Sequence, residues 1–204
     1  MTASGEALHM LLTSDVPGSA LVLVEPDGSM SSAAHLEAIA LLPGSFNPLH
    51  DGHRLLAAAA REQAGREVIF ELSVTNVDKP PLIADEVTHR LVQFRGQARV
   101  LLSRAPRFVE KARLLPGSTF IVGWDTFTRL LEPRYYGDAE AMRDALAEIG
   151  GRGCRFLVAG RAQGSVFRTL ADTPIPEAFT ALFEPIPESR FRLDISSMAL
   201  RDGL

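Results

Sequence analysis

From residue 37 onward, the sequence alternates between short apolar runs and segments with the apolar spacing of amphipathic helices. We predict strands at 37–42, 67–74, 98–103, 118–122 and 154–159, and helices at 53–64, 85–95, 107–114, 124–131 and 138–149. Such alternation favours a parallel sheet, because each helix carries the chain back to the edge at which the next strand begins. The predicted fold class is therefore α/β, a doubly wound, mostly parallel, Rossmann-like sheet, in which ligands bind beyond the carboxyl ends of the strands.

The segment before this alternation is less regular. Residues 1–36 are predicted to form an N-terminal appendage of unknown role, with a helix at 7–12, a strand at 20–24 added at the sheet edge, and a loop at 29–36. The main domain is expected to span residues 37–204.

After residue 149, the sequence predicts the strand at 154–159, followed by loops, short extended pieces and one further helix. In order, we predict a loop containing Gly160, Arg161 and Gly164, extended pieces at 181–184 and 190–193, and a last helix beginning near Ser196. The loops at the carboxyl ends of the strands are the places where a site is expected. These loops are 43–53, 75–84, 103–106, 123–126, 160–165 and 194–197.

Composition and charge exclude several classes of protein. The 204 residues suit one domain with a sizeable core, and no apolar run reaches the roughly 20 residues that span a membrane. Residues 1–53 contain no Lys or Arg, so neither a secretory or mitochondrial address nor a basic nucleic-acid arm is expected there. The single cysteine, Cys154, excludes an internal disulfide and a cysteine metal cluster. We expect a cytoplasmic protein without membrane or nucleic-acid partners, and the sequence leaves a homo-oligomer open.

The loop at 43–53 carries the first candidate site. An apolar run ends at Pro43-Gly44, turn-forming residues follow, and His50 and His53 stand just before a helical pattern. Backbone N–H groups at such a helix start bind anions, and histidines three apart lie on nearly one face. The pair could also be simple helix-start polarity or half of a metal site, although zinc would need further ligands.

A second candidate site lies near the other end of the sequence. An extended piece runs into Ser196 and Ser197, and Arg201 follows about one helical turn later. Serine hydroxyls at a helix start and an arginine fork suit a phosphate group. Alternatively, Ser196 simply caps a terminal helix and Arg201 is solvated.

Taken together, the two motifs resemble those of the nucleotidylyltransferase superfamily. Its His-x-Gly-His motif stands here as His50-Asp51-Gly52-His53, and its late motif as Ile195-Ser196-Ser197-Met198-Ala199-Leu200-Arg201, with Met198 where the family has Thr. The run 44–48 (Gly-Ser-Phe-Asn-Pro) is similar to the nicotinamide or nicotinate mononucleotide adenylyltransferases in particular. The resemblance covers about residues 37–201 and implies the Rossmann-like nucleotidylyltransferase fold.

The resemblance also implies a reaction. An acceptor phosphate attacks the α-phosphorus of ATP and pyrophosphate leaves, so the expected partners are ATP and a small phosphorylated acceptor. His50 and His53 would be the catalytic donors, with His53 closest to the reacting centre. Mg²⁺ is the expected cofactor, bound with ATP and held largely by phosphates and water, without a dedicated protein metal site. The nucleotide-binding residues are expected to be Gly44, Ser45, Phe46, Arg161, Ser196, Ser197 and Arg201.

The acceptor side is carried by weaker motifs. Lys79 lies in a loop similar to one of the family, and Gly123-Trp124-Asp125 matches a family Gly-x-Asp. The acceptor-binding residues are therefore expected to be Lys79, Gly123, Trp124 and Asp125. Lys79 could equally be a solvated lysine, Asp125 a helix N-cap, Trp124 a core aromatic residue and Arg161 a surface arginine.

Two rival functions remain open at the level of sequence. One is a nucleotidylyltransferase with another phosphate acceptor or with CTP, although the serine pair and Arg201 favour ATP. The other is a nucleotide-binding regulatory protein with little turnover, which Met198 and the altered acceptor loop motivate.

Overall fold

The computed structural model describes residues 3–13, 21–33, 36–75, 77, 80–164 and 166–192. Ten strands and six α-helices occur in this part of the chain, joined in places by short 3₁₀ turns. The strands are β1 (Leu21–Val24), β2 (Met30–Ser32), β3 (Ala40–Pro43), β4 (Val68–Ser73), β5 (Val100–Ser103), β6 (Thr119–Gly123), β7 (Arg155–Ala159), β8 (Arg161–Gln163), β9 (Val166–Arg168) and β10 (Phe183–Ile186). The helices are α1 (Ala3–Thr13), α2 (Asp51–Ala64), α3 (Ala84–Val92), α4 (Phe108–Leu114), α5 (Trp124–Leu130) and α6 (Ala139–Gly151).

Eight strands form one twisted sheet in the order β10-β7-β6-β3-β4-β5-β1-β2. The six strands from β10 to β5 are parallel, and β1 pairs antiparallel with both β5 and β2. From β3 the chain runs outward through β4 and β5, then returns to the other side of β3 with β6. The direction of winding therefore reverses between β3 and β6, and a crevice is expected beyond the carboxyl ends of these two strands.

The sheet separates two apolar cores. On one face, α1, α2 and α3 pack over side chains such as Leu42 and Phe70, and on the other face α4, α5 and α6 pack over side chains such as Leu41 and Phe120. Neighbouring residues of a strand point to opposite faces, so a central strand covered by helices on both sides reads as a continuous apolar run. The fold class is confirmed as an α/β, doubly wound, mostly parallel sheet.

Some predicted elements differ from the observed ones. The region 29–36 was expected to be a loop, but Met30–Ser32 forms β2 against β1. The region 160–165 was also expected to be a loop, but Arg161–Gln163 pairs with Val166–Arg168 in a two-stranded hairpin. Backbone hydrogen bonds to a neighbour form these short strands, and their own sequences lack the alternation that signals a half-buried strand.

Smaller differences concern the ends of elements. The helix expected at 85–95 ends at Val92, the extended piece expected at 181–184 is β10 (Phe183–Ile186), and residues 190–192 form no strand. The helix expected at 107–114 begins at Phe108, with Arg107 as its N-cap. The helix expected near Ser196 lies outside the described residues. Among the described helices, none has the length and apolar character that crossing a membrane requires.

Candidate functional site

The loop between β3 and α2 crosses the carboxyl end of the sheet, and it is built around a buried aromatic ring. Phe46 is 1% exposed and makes edge-to-face contacts with Phe70 and Phe94 at centroid distances of 5.4 and 5.2 Å. Its φ of 45° is left-handed, which a bulky residue adopts only where the surroundings hold it. A Cβ on Gly44 would meet the Phe46 ring at 2.6 Å, so only glycine fits there.

The end of α3 fastens this loop from outside. The Gln93 side-chain amide accepts a hydrogen bond from Leu49 N at 2.7 Å and donates one to the Phe46 carbonyl at 3.0 Å. One helical turn earlier, Arg90 donates to the Ser45 carbonyl at 3.1 Å. Three residues of the loop are thus held by two side chains on one face of α3.

The two candidate histidines stand where the loop becomes helix. His50 is the N-cap residue of α2, and its ring stacks on that of His53 with centroids 3.7 Å apart. The backbone N–H of His50 donates to Nδ1 of His53 at 3.2 Å. Because Nδ1 is the acceptor, a neutral His53 carries its proton on Nε2 and can donate from that atom.

The surroundings keep these imidazoles neutral. Burial lowers the pKa of His53 to about 4, and the neighbouring His50 and Arg54 act in the same direction. Burial also lowers the pKa of His50, where Asp51 opposes the effect and Arg54 adds to it. Phe46 contributes to the burial of His53, because the two rings make an edge contact with centroids 5.1 Å apart. At neutral pH, His53 is therefore a neutral hydrogen-bond donor at the N-terminus of α2.

A cavity of about 390 Å³ opens beside the same loop, and we call it the strand-end cavity. Its wall includes Gly44, Ser45 and Asn47 of the loop, Glu71 at the end of β4, and Arg129 of α5. Its lining draws on both faces of the sheet: Lys111 and Arg129 come from α4 and α5, whereas Arg90 comes from α3, which packs on the same face as α2 and its histidines. Its volume lies within the range of about 300–1,000 Å³ that is usual for small-molecule sites.

A buried ion pair lies in the wall of the strand-end cavity. Lys111 Nζ of α4 lies 2.6 Å from Glu71 Oε1, and the two side chains are 4% and 1% exposed. Ser103 Oγ donates to the same carboxylate oxygen at 2.5 Å, and Lys111 Nζ also donates to the Ala105 carbonyl at 2.6 Å. These residues lie at least 32 positions apart from Glu71 in the sequence, so no local motif indicated the cluster.

The predicted acceptor motif starts α5. Gly123 is the N-cap residue, so Asp125 is not the cap, and a Cβ on Gly123 would meet nothing within 4 Å. Trp124 packs partly buried against the second core, and its indole N–H is buried without an acceptor among the described residues. Within the same helix, Thr126 and Arg129 line the strand-end cavity.

The structure pairs Asp125 with Arg161. The guanidinium of Arg161, at the start of β8, forms an ion pair with the Asp125 carboxylate, and both side chains are partly exposed. The pair links a residue expected on the acceptor side to one expected on the nucleotide side. Four other expected site residues, Lys79, Ser196, Ser197 and Arg201, lie outside the described part of the chain.

A smaller aromatic recess continues the strand-end cavity. The recess has a volume of about 220 Å³ and shares Pro106, Phe108, Thr126 and Arg129 with the larger cavity. Tyr135 and Tyr136 also line it, and the Tyr136 hydroxyl donates to the Leu130 carbonyl at 3.1 Å. Burial raises the pKa of Tyr136 to about 12. The combined cleft thus has a polar part near the loop and an aromatic part near α5.

The described residues offer mainly hydrogen-bond donors at the loop. Within them, no group of three or more His, Cys, Asp or Glu side chains is arranged to hold a metal ion. Asp51, the carboxylate next to the histidines in sequence, is exposed and pairs with Arg54 at 3.2 Å. This donor set suits an anion, and it would suit a cation that arrives with its own phosphate ligands.

Sequence comparisons with known proteins show the family to which the chain belongs. A sequence model of the cytidylyltransferase-like family matches residues 41–202, which include the loop, both histidines and the residues of the strand-end cavity. A protein of Gloeobacter violaceus named as a probable nicotinate-nucleotide adenylyltransferase is 30% identical over 187 residues, covering 82% of this chain and 84% of that protein. The chain belongs to the cytidylyltransferase-like family and is a nucleotidylyltransferase.

Proposed function

We propose that the protein transfers AMP from ATP to the phosphate of a pyridine mononucleotide, nicotinate or nicotinamide mononucleotide, and so makes a dinucleotide of the NAD type. The observation that carries this proposal is the loop between β3 and α2, which leads into the neutral donor His53 and has a ligand-sized cavity along its side. The name of the Gloeobacter violaceus relative supports the same acceptor class.

His53 acts on the phosphate that is transferred. Its Nε2–H donates to a non-bridging oxygen of the α-phosphate, whose negative charge grows as the acceptor oxygen attacks. A donor of this kind contributes roughly 3–4 kcal/mol, by analogy with oxyanion holes. Because the imidazole is held neutral and oriented by the backbone N–H of His50, it needs no proton transfer to act.

The rest of the reaction is positioning. An oxygen of the acceptor phosphate forms a bond to the α-phosphorus, the bond from that phosphorus to the bridging oxygen breaks, and pyrophosphate leaves with the electron pair. No protein nucleophile takes part, which is usual for such chemistry. The Ser45 amide and the N-terminus of α2 hold the nucleotide phosphates, since the Gly44 N–H already donates to the Glu71 carbonyl at 3.0 Å. The strand-end cavity, which lies along the same loop, holds the acceptor.

The leaving pyrophosphate has its own ligands in this proposal. Ser196, Ser197 and Arg201 bind the β- and γ-phosphates through hydroxyl groups and a guanidinium fork. Mg²⁺ would arrive with these phosphates and would neutralise part of their charge, without a dedicated site among the protein side chains. Lys79 is proposed on the acceptor side, at the acceptor phosphate.

The test is a pyrophosphate-release assay with Mg²⁺, ATP or CTP, and a panel of mononucleotides. We expect release with ATP and a pyridine mononucleotide, and a loss of roughly 10²–10³-fold in kcat for His53→Ala. Glu62→Ala, at an exposed position further along the same helix, is the matched control for the stability of α2. Release with CTP alone, or tight ATP binding without release for any mononucleotide, would overturn the proposal in favour of the corresponding rival function.

A further inference from the structure

The ion pair between Glu71 and Lys111 occupies the most buried part of the strand-end cavity. Along β4 and β5, the side chains of Ile69 and Leu101 point into the core under α4, α5 and α6. Glu71 and Ser103 follow two positions later and therefore point to the same side, at the carboxyl ends of their strands. Lys111 reaches them from α4. Both charged residues line the cavity, although they are only 1% and 4% exposed.

The hydrogen bonds of this pair are incomplete within the protein. Glu71 Oε1 accepts from both Lys111 and Ser103, and Lys111 uses a second N–H for the Ala105 carbonyl. In the described part of the chain, neither Glu71 Oε2 nor the third N–H of Lys111 makes a hydrogen bond. An acceptor of Glu71 and a donor of Lys111 thus lie side by side in the wall of the cavity, and the charges of the two side chains cancel.

This arrangement complements a group that both donates and accepts. A carboxamide does so, because its NH₂ can donate to Glu71 and its oxygen can accept from Lys111. A carboxylate offers acceptors only, and it would face the Glu71 charge where the low dielectric strengthens repulsion. Leaving one buried partner unpaired costs about 1–3 kcal/mol, so the discrimination should reach roughly tenfold or more.

Two further cationic side chains that line the cavity, Arg129 and Arg90, are more exposed than Lys111 and lie nearer the mouth. The inner part of the cavity therefore suits a group without a net charge. Arg129 is exposed and forms no ion pair with any described residue, while Arg90 is partly exposed and donates a hydrogen bond to the Ser45 carbonyl at 3.1 Å. Two guanidinium groups near the mouth suit the phosphate of an acceptor. An acceptor would therefore enter with its phosphate outward, toward the loop, and with its uncharged end inward.

We propose that Glu71 and Lys111 determine specificity by selecting an acceptor whose ring carries a neutral carboxamide over one that carries a carboxylate. In terms of pyridine mononucleotides, the preference is for nicotinamide mononucleotide over nicotinate mononucleotide. This inference rests on the proposed function, since that places the acceptor in the strand-end cavity. It also distinguishes this chain from its Gloeobacter violaceus relative, which is named for the nicotinate form.

Equilibrium binding of the two mononucleotides, measured by titration calorimetry without ATP, tests the inference. We expect the wild-type protein to bind the amide form at least about tenfold more tightly than the acid form. Glu71→Gln removes the repulsive charge and leaves Lys111 to attract a carboxylate, so the preference should fall at least fivefold or reverse. Glu148→Gln is the matched control, because it breaks an exposed ion pair with Arg113 on the outer side of α4 and should leave the ratio unchanged.

A second variant keeps the test valid if Glu71→Gln alone fails to fold. Glu71→Gln combined with Lys111→Met removes both charges together, and buried ion pairs are often replaced by neutral side chains without loss of stability. This double variant should bind both mononucleotides with affinities within about threefold of each other. Equal or stronger binding of the acid form by the wild type, binding of neither form, or an unchanged ratio in both variants would overturn the inference. Failure of the proposed function would instead appear in the pyrophosphate assay, whatever the binding ratio.

Discussion

At the scale of single residues, the protonation of His53 links the site to the stability of the fold. Its pKa in the folded chain is about 4, against 6.5 for an ordinary histidine, because the ring is largely buried. Between these two pH values the unfolded chain takes up a proton at this residue and the folded chain does not. The free energy of unfolding should therefore fall as the pH falls from about 6.5 to about 4, and this loss should be absent above pH 6.5.

His53→Asn is the variant that isolates this effect. Asparagine retains an oxygen that can accept from the His50 N–H, but it does not titrate. We expect the stability difference between wild type and variant, measured by urea unfolding, to shift in favour of the variant between pH 7.5 and pH 5.0. His50 contributes its own pH dependence to both proteins and cancels in the comparison. An identical difference at both pH values would show that His53 has an ordinary pKa in the folded state.

Gly44 lies so close to the Phe46 ring that the structure leaves no room for a side chain at this position. Gly44→Ala places a methyl group 2.6 Å from the Phe46 ring, and overpacking of this kind costs typically 1–3 kcal/mol. The ring also supports His53, so turnover should fall together with stability. Gly151→Ala is the control, because nothing lies within 4 Å of the added Cβ at the end of α6 and the change should be neutral or slightly stabilising. Equal melting temperatures for the two variants would contradict the proposed contact.

At the scale of elements, α3 determines the shape of the catalytic loop without supplying a catalytic group. The Gln93 amide holds Leu49 N and the Phe46 carbonyl at 2.7 and 3.0 Å, so Gln93→Leu frees both backbone groups. We expect a tenfold or greater loss in kcat with a smaller change in KM, because the substrates still bind but His53 is less well oriented. Faster hydrogen exchange at the Leu49 amide should accompany this loss.

The neighbouring glutamine provides the comparison. Gln97 accepts a hydrogen bond from Arg54 at 3.1 Å on the exposed surface, one turn beyond Gln93. Gln97→Leu should leave kcat and the exchange rate of Leu49 within about twofold of wild type, since exposed contacts contribute little. A comparable loss in both variants would mean that Gln93 acts through general stability and does not position the loop.

The same elements show how far the sequence determines this fold and site. The helix expected at 53–64 is observed as α2, and Gly65, which follows its last residue, has a left-handed conformation. This helix could be predicted because its apolar spacing and its terminating glycine are both local signals. Gln93, Glu71 and Lys111 carried no such signal. Leu49 lies 44 positions from Gln93, and Lys111 lies 40 positions from Glu71, so only the pairing of strands and the packing of helices bring these residues together.

At the scale of the whole molecule, the first described strand is an interior part of the sheet. All four residues of β1 are buried, with Leu21 and Leu23 in one core and Val22 and Val24 in the other. Burial on both faces is the pattern of a central strand, and β2 forms the edge of the sheet on this side. The N-terminal segment therefore contributes to both cores and cannot be removed without exposing β5 and the apolar surface beside it.

The register of the sheet offers a direct test of this role. Leu23 lies opposite Leu101 of β5 on one side and Ser31 of β2 on the other. Leu23→Ala and Leu101→Ala should each cost about 2–5 kcal/mol in one cooperative urea transition, because each leaves a cavity in the same core. Ser31→Ala, at the exposed edge, should cost less than about 0.5 kcal/mol. If Leu23→Ala cost less than about 1 kcal/mol, or produced a separate early transition, the segment up to residue 36 would fold as an independent appendage.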